Sequence, residues 1–220
     1  MSDSPLPRCR LSPVYQQYLK SQDTVGFVRE VSEVYTQGTL ERLVEHDSPQ
    51  VRRAAVTALG FLGDYRSNTA LGHALQDEDR TVRMLAEQSI RRVWARDGTE
   101  KERRLLRAIM RLNTAQRFSA AVRRATDLIE RAAWFAEAWN QRAIAHFSLQ
   151  QYDEAIHDCS QALEINPYHF AAAAGMGQAY LERGDRIAAL ECFRRALRLN
   201  PDLEAVRVQV ARLVRLIGEA

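Results

Sequence analysis

Two apolar rhythms run along these 220 residues, and both have the spacing of helices. Between residues 40 and 94 the apolar positions return every 31 residues. Leu40 matches Leu71, Val44 matches Leu75, Val51 matches Val82, Ala55 matches Ala86 and Leu59 matches Ile90. Downstream the interval becomes 34. Ala155 matches Ala189, Ala162 matches Ala196, Leu163 matches Leu197, and Asn166-Pro167 returns as Asn200-Pro201. Fixed intervals of this size predict helical hairpins, each of which buries its apolar face against the next.

Polar residues and breakers place the helix ends. Ser48 before Pro49 predicts a cap followed by proline at the first helical position, and Asp79 caps the equivalent helix. Thr99 and Glu102 have the spacing of a capping box. Gly184-Asp185 predicts a turn with Asp185 as the cap, and Asp153 is expected to cap in the hairpin before it. Ser12-Pro13 opens a short helix containing Tyr15 and Tyr18, and Phe27, Val28, Val31 and Val34 follow helical spacing after Asp23-Thr24. At the other end Leu203, Val206, Val210, Leu213, Val214 and Ile217 predict a terminal helix that covers the last hairpin.

The expected fold is therefore all-α, an α–α superhelix or solenoid. Residues 1–11 form a flexible N-terminus and 12–98 one repeat region, of which 12–38 are an atypical cap. Residues 99–220 form a second region, with repeats at 102–135, 136–169 and 170–203 and a capping helix at 204–218. The short join at Asp97-Gly98 predicts helix packing that continues across it.

Composition adds little to this. Hydrophobic residues make up 46% and charged residues 27%, an ordinary balance for a water-soluble chain. Cys9, Cys159 and Cys192 match no zinc or redox spacing, and an odd number argues against a disulfide framework. No secretory signal or membrane-length apolar run is read, so the expected compartment is the cytoplasm.

Charge changes the picture more. Residues 1–90 carry 10 basic and 12 acidic side chains, and residues 132–220 carry 9 and 11. Residues 91–131 carry 12 basic and 5 acidic ones, nearly all the basic groups being arginine. Arg103, Arg107 and Arg111, four apart, predict a basic strip, to which Arg92, Arg96, Arg104, Arg123 and Arg124 could add. Such a strip could bind nucleic acid or another polyanion, or be a solvated face paired with Glu100, Glu102, Asp127 and Glu130.

The downstream copies resemble the tetratricopeptide repeat. Trp139 fills its aromatic slot, Ala143 the small slot at the helix crossing, and Ala155, Ala162 and Pro167 follow. The next copy has Gly177, Tyr180, Ala189, Phe193, Ala196 and Pro201. Residues 102–135 read as a degenerate copy in which Ala132-Ala133 stands for Asn-Pro and Leu105 for the tryptophan. The upstream text, Asp47-Ser48-Pro49-Gln50-Val51-Arg52 and its echo at Asp77–Arg83, resembles HEAT repeats of the short, bilin-lyase type. That resemblance implies an Asp–Arg ladder drawn from Asp47, Asp77, Arg52 and Arg83.

The tetratricopeptide resemblance also implies that the first helix of each hairpin lines a concave groove. The groove residues would be Asn140, Gln141, Ile144 and Phe147 in one repeat and Ala171, Ala174, Gly175 and Gln178 in the next. The clamp by which tetratricopeptide co-chaperones hold a C-terminal carboxylate is not expected. Its positions fall on Leu106, Met110, Gln141, Ala171 and Gly175, which supply no charge.

No phosphate-loop, dinucleotide-binding, nucleophile-elbow or zinc-protease motif is found. His46, His73, His146, His157 and His169 are dispersed; Asp153 and His157 read as a local pair. No catalytic, cofactor or metal role is expected. The expected function is a non-catalytic scaffold that binds a peptide or helix partner in the groove. Polyanion binding by the arginine-rich segment is the alternative, and a bilin-lyase-like enzyme a weaker third reading.

Overall fold

The structure is a computed structural model that describes residues 10–218, and every regular element in them is helical. The chain divides into two compact units at Val93 and Trp94, just upstream of Asp97-Gly98. The expected flexible N-terminus lies outside the described residues up to residue 9. Leu11, also assigned to it, is fully buried and opens the first helix.

The first unit contains α1 (Leu11–Ser21), α2 (Thr24–Val34), α3 (Gln37–Leu43), α4 (Pro49–Leu62) and, after one 3-10 turn, α5 (Asn68–Ala74). Helix α6 (Arg80–Ala95) starts in it and ends just past the boundary. All ten residues paired by the 31-residue rhythm are buried. Helices α1 and α2 pack on α4, where Tyr18 stacks on Phe27 at 4.7 Å and Phe61 meets both edge-on. Asp79 caps α6 with an oxygen 2.9 Å from the Val82 amide. Ser48 precedes α4 as predicted, but its side chain makes no capping bond; Pro49 sets that helix start.

The ladder has one clear rung. The Arg52 guanidinium donates to both Asp77 oxygens at 2.7 and 2.8 Å, and its third nitrogen reaches the carbonyl oxygens of His46 and Asp47. Arg83 takes the equivalent place on the carbonyls of Asp77 and Glu78. Asp47 thus joins through its backbone. Beside them Arg53 pairs with Asp79, and that hydrogen bond holds the Asp79 carboxyl down to about 2.

The second unit has three helix pairs. They are α7 (Glu100–Thr114) with α8 (Phe118–Arg131), α9 (Ala136–Ser148) with α10 (Tyr152–Ile165), and α11 (Phe170–Glu182) with α12 (Arg186–Leu199). Helix α13 (Glu204–Gly218) closes the series against α12. Backbone geometry repeats every 34 residues through all three pairs. Gln116, Gln150 and Gly184 take positive φ of 56°, 60° and 91° at the turn inside each pair. The next amides, of Arg117, Gln151 and Asp185, donate to the carbonyls of Leu112, His146 and Tyr180. These bonds satisfy carbonyls left open at the end of each first helix.

Caps vary within that plan. Thr99 and Glu102 form the predicted capping box, and Asp185 caps α12 through the Ala188 amide. Asp153 does not cap: the N-cap of α10 is Gln151, and Asp153 instead pairs with Arg183 at 2.6 Å. The asparagines of the two Asn-Pro pairs are buried, and each side-chain oxygen accepts the amide of the second residue after it, Tyr168 or Asp202. In α13, Leu213 is buried, while Val214, expected on the covering face, is 46% exposed.

Helices α11 and α12 cross at Gly177, where an added Cβ would lie 2.7 Å from the Phe193 ring. Gly177→Ala gains up to about 1 kcal/mol of helix propensity but forces that ring to move, at about 1–3 kcal/mol. A net loss of about 1 kcal/mol is expected, measured as a lower urea midpoint with unchanged slope.

Candidate interaction surface of the second unit

The 34-residue register puts matching side chains on one face of α7, α9 and α11. Leu106, Asn140 and Ala174 are equivalent, as are Met110, Ile144 and Gln178. Helix α7 touches α9 and α9 touches α11, whereas contacts between the second helices are at most slight. Successive first helices therefore line the inner side of this stack. On that face Met110 is 37% and Ile144 41% exposed. Phe147, Ala171, Ala174, Gly175 and Gln178 are partly buried, Phe147 against Tyr152 and Gln178 bonded to Glu182.

Asn140 and Gln141 do not join that open surface, which corrects their expected place in the groove. Both are buried, and both donate to one oxygen of Glu137, at 3.3 and 2.7 Å. Asn113 ties Gln141 back to α7 through that residue's carbonyl and side-chain oxygens. The second Glu137 oxygen lies 3.0 Å from His169 Nε2. The other ring nitrogen of His169, Nδ1, accepts the Ala172 amide and so caps α11. An accepting Nδ1 carries no proton, so the proton shared with Glu137 sits on Nε2. Trp94 stacks on the His169 ring at 4.2 Å and touches Phe170. Burial raises the Glu137 pKa, but the bonds from His169, Gln141 and Asn140 outweigh it and hold the carboxyl below its usual value.

The basic strip separates into two groups. Arg103, Arg104 and Arg107 gather around Glu100 at 3.7, 3.1 and 2.9 Å. Arg111 turns away, because eight residues rotate a helix by about 80°. It lines an open groove of about 970 Å³ between α7 and α8, together with Arg117, Arg123 and Arg124. Sequence spacing groups Arg111 with Arg103 and Arg107 and adds Arg123 and Arg124 to the same strip; it misses Arg117 and the separation of this cluster, which joins two helices and the turn between them.

Comparison with known proteins agrees with the two rhythms. A HEAT-repeat model matches residues 36–126, and tetratricopeptide-repeat models match 136–169 and 170–203. The chain is a HEAT- and tetratricopeptide-repeat protein. Among curated relatives it is 33% identical to mouse superkiller complex protein 3 over 37% of this chain and 5% of that one. It is 31% identical to yeast small glutamine-rich tetratricopeptide repeat-containing protein 2 over 39% and 25%. A tetratricopeptide protein of Rhizobium etli is 32% identical over 34% and 37%. The chain thus spans well under half the length of these relatives. Among solved structures, the first tetratricopeptide domain of Spaghetti bound to an HSP90 peptide superposes with a TM-score of 0.53 at 18% identity. That match covers 55% of this chain and 96% of the other, and shows a shared fold.

The HEAT match runs on to residue 126, so it overlaps the α7–α8 pair whose turn keeps the tetratricopeptide register. Within the tetratricopeptide repeats other polar groups are engaged with one another. Arg142 donates to both Asp158 oxygens at 2.7 and 2.8 Å, reaches Thr126 on α8 and lies 4.9 Å over the Trp139 ring. His146 is 3.8 Å from the same carboxylate and bonds Gln151. Burial pushes the Cys159 thiol up to about 12, which disfavours the thiolate a nucleophile needs. Among the described residues no helix is long and apolar enough to cross a membrane.

Proposed function

We propose that this protein is a non-catalytic, cytoplasmic scaffold whose tetratricopeptide repeats hold a peptide or helix of a partner protein on the inner face of α7, α9 and α11. The observation that carries this reading is the row of register-equivalent positions Met110, Ile144 and Gln178. Its first two members are large apolar side chains left open to water. Beside them Ala171, Ala174 and Gly175 leave the backbone of α11 thinly covered, so a partner chain can approach closely. The Spaghetti domain, which has the same fold, is bound to an HSP90 peptide. Asn140 and Gln141 act in this reading as the buried support of the face. The test compares proteins recovered from native lysate by the wild-type chain and by Ile144→Asp, with folding checked by circular dichroism. A partner retained by the wild type and lost by the variant supports the reading. An identical set recovered by both would sink it.

A further inference from the structure

We propose that the groove between α7 and α8 is a second docking site, for a short acidic polypeptide segment held by Arg111, Arg117, Arg123 and Arg124. It is separate from the face of Met110 and Ile144, and it stands independently of the function proposed for that face.

Three of these arginines depart from what the register carries in the other copies. Arg124 occupies the position of Asp158 in the second pair and Cys192 in the third. Asp158 there locks Arg142, but the first-pair equivalent of Arg142 is Ala108, so no such lock forms. Arg117 occupies the position of Asp185, which caps α12, and of Gln151, which like Arg117 gives its helix no side-chain cap. Arg111 occupies the position of Ala145 and Ala179, both fully buried in their repeats. Where one other copy carries a lock, one a cap and both a buried methyl group, the first pair carries exposed cations. Among the described residues none of the four has a carboxylate within ion-pair distance, in contrast to Arg103, Arg104 and Arg107 around Glu100.

The groove supplies what guanidinium–carboxylate recognition needs. Leu112 and Val122 add apolar surface to its lining, and exposed guanidinium groups around it present paired donors that match carboxylates. The first turn of α8, with Arg117 and Ala120 on the lining, adds the positive end of a helix dipole.

A protein segment fits better than nucleic acid. The lining contains no aromatic ring on which a base could stack. The site is confined to one helix pair, about 20 Å long. Beyond it, residues 132–220 carry 9 basic and 11 acidic side chains, so the later repeats offer no continuing cationic track for a phosphate chain. Asp127 on the lining interrupts the cationic surface but leaves room for spaced carboxylates.

The test uses the full chain and a fluorescein-labelled decapeptide of alternating Asp and Glu, read by anisotropy. A thymidine oligonucleotide and a DNA duplex are titrated alongside. Binding is expected at about 50 mM salt and is expected to weaken several-fold at about 150 mM. Arg123→Glu with Arg124→Glu should weaken it at least about ten-fold, and Arg104→Ala with Arg107→Ala by less than about two-fold, since the latter two already share Glu100. Circular dichroism confirms folding of both variants, and Arg111→Gln with Arg117→Gln provides a milder second pair. No peptide binding at the lower salt would overturn the proposal. So would equal losses in the groove and Glu100-facing variants, or tighter binding of either oligonucleotide than of the peptide.

Discussion

Arg142→Met is expected to destabilise the protein by about 3–5 kcal/mol, the range for removing one partner of a buried ion pair. Asp158 is 2% exposed, and both its oxygens accept from the Arg142 guanidinium. Methionine keeps most of the side-chain volume, so the loss reads the stranded carboxylate rather than a cavity. His146, 3.8 Å from Asp158, is too far to replace two short hydrogen bonds. The Thr126 bond to α8 and the contact with Trp139 also go, so helices α8, α9 and α10 all loosen. The measurement is chemical denaturation of wild type, Arg142→Met, Asp158→Leu and the double variant. The double variant should recover to within about 1–2 kcal/mol of wild type, because paired apolar residues leave no charge to desolvate. A single variant as stable as wild type would mean that water reaches Asp158 and the pair adds little.

The rhythm of apolar residues disclosed the fold because each interval reports a geometric identity. Residues 34 apart, such as Gln116, Gln150 and Gly184, take the same left-handed turn even though only one is glycine. Residues 31 apart, such as Leu59 and Ile90, are both fully buried. Misreadings arose where register was ignored or where it cannot speak. Asp153 looked like a cap, but the register of Asp185 falls on Gln151, and Asp153 was free to meet Arg183. Arg103, Arg107 and Arg111 looked like one strip, yet the drift of a helix over two turns carried Arg111 into a different groove. Asn140 and Gln141 fall on a helix that lines the inner side, but sequence position does not disclose that both are buried on Glu137. Glu137 and His169 have no carboxylate or imidazole counterpart in the other repeats: Arg103 and Ala171 stand at the first position, Phe135 and Leu203 at the second. Their network is a departure from the repeat, so repeat logic could not announce it.

That departure gives the other large effect. His169→Ala is expected to cost about 3–5 kcal/mol, from the combined loss of a helix cap, a stacked buried ring and the partner of a buried carboxylate. Glu137→Gln is expected to cost less, about 1–2 kcal/mol, since an amide oxygen can still accept from His169 Nε2. The two variants separate further with pH. Glu137 has a folded-state pKa depressed below its usual 4.5. Its ionised form therefore contributes stability that is fully present above the unfolded-state pKa. That contribution is lost as pH falls through the lower folded-state value. Wild-type stability should fall in this acid range, and Glu137→Gln should remove that part of the fall. His169→Ala should show less of it, because the bond that did most to oppose burial has gone. Urea midpoints taken at neutral pH and across the acid range measure both effects. Parallel pH curves for wild type and Glu137→Gln would show that Glu137 does not carry the acid sensitivity. A near-wild-type midpoint for His169→Ala would mean that Trp94 and Ala172 hold the start of α11 without it.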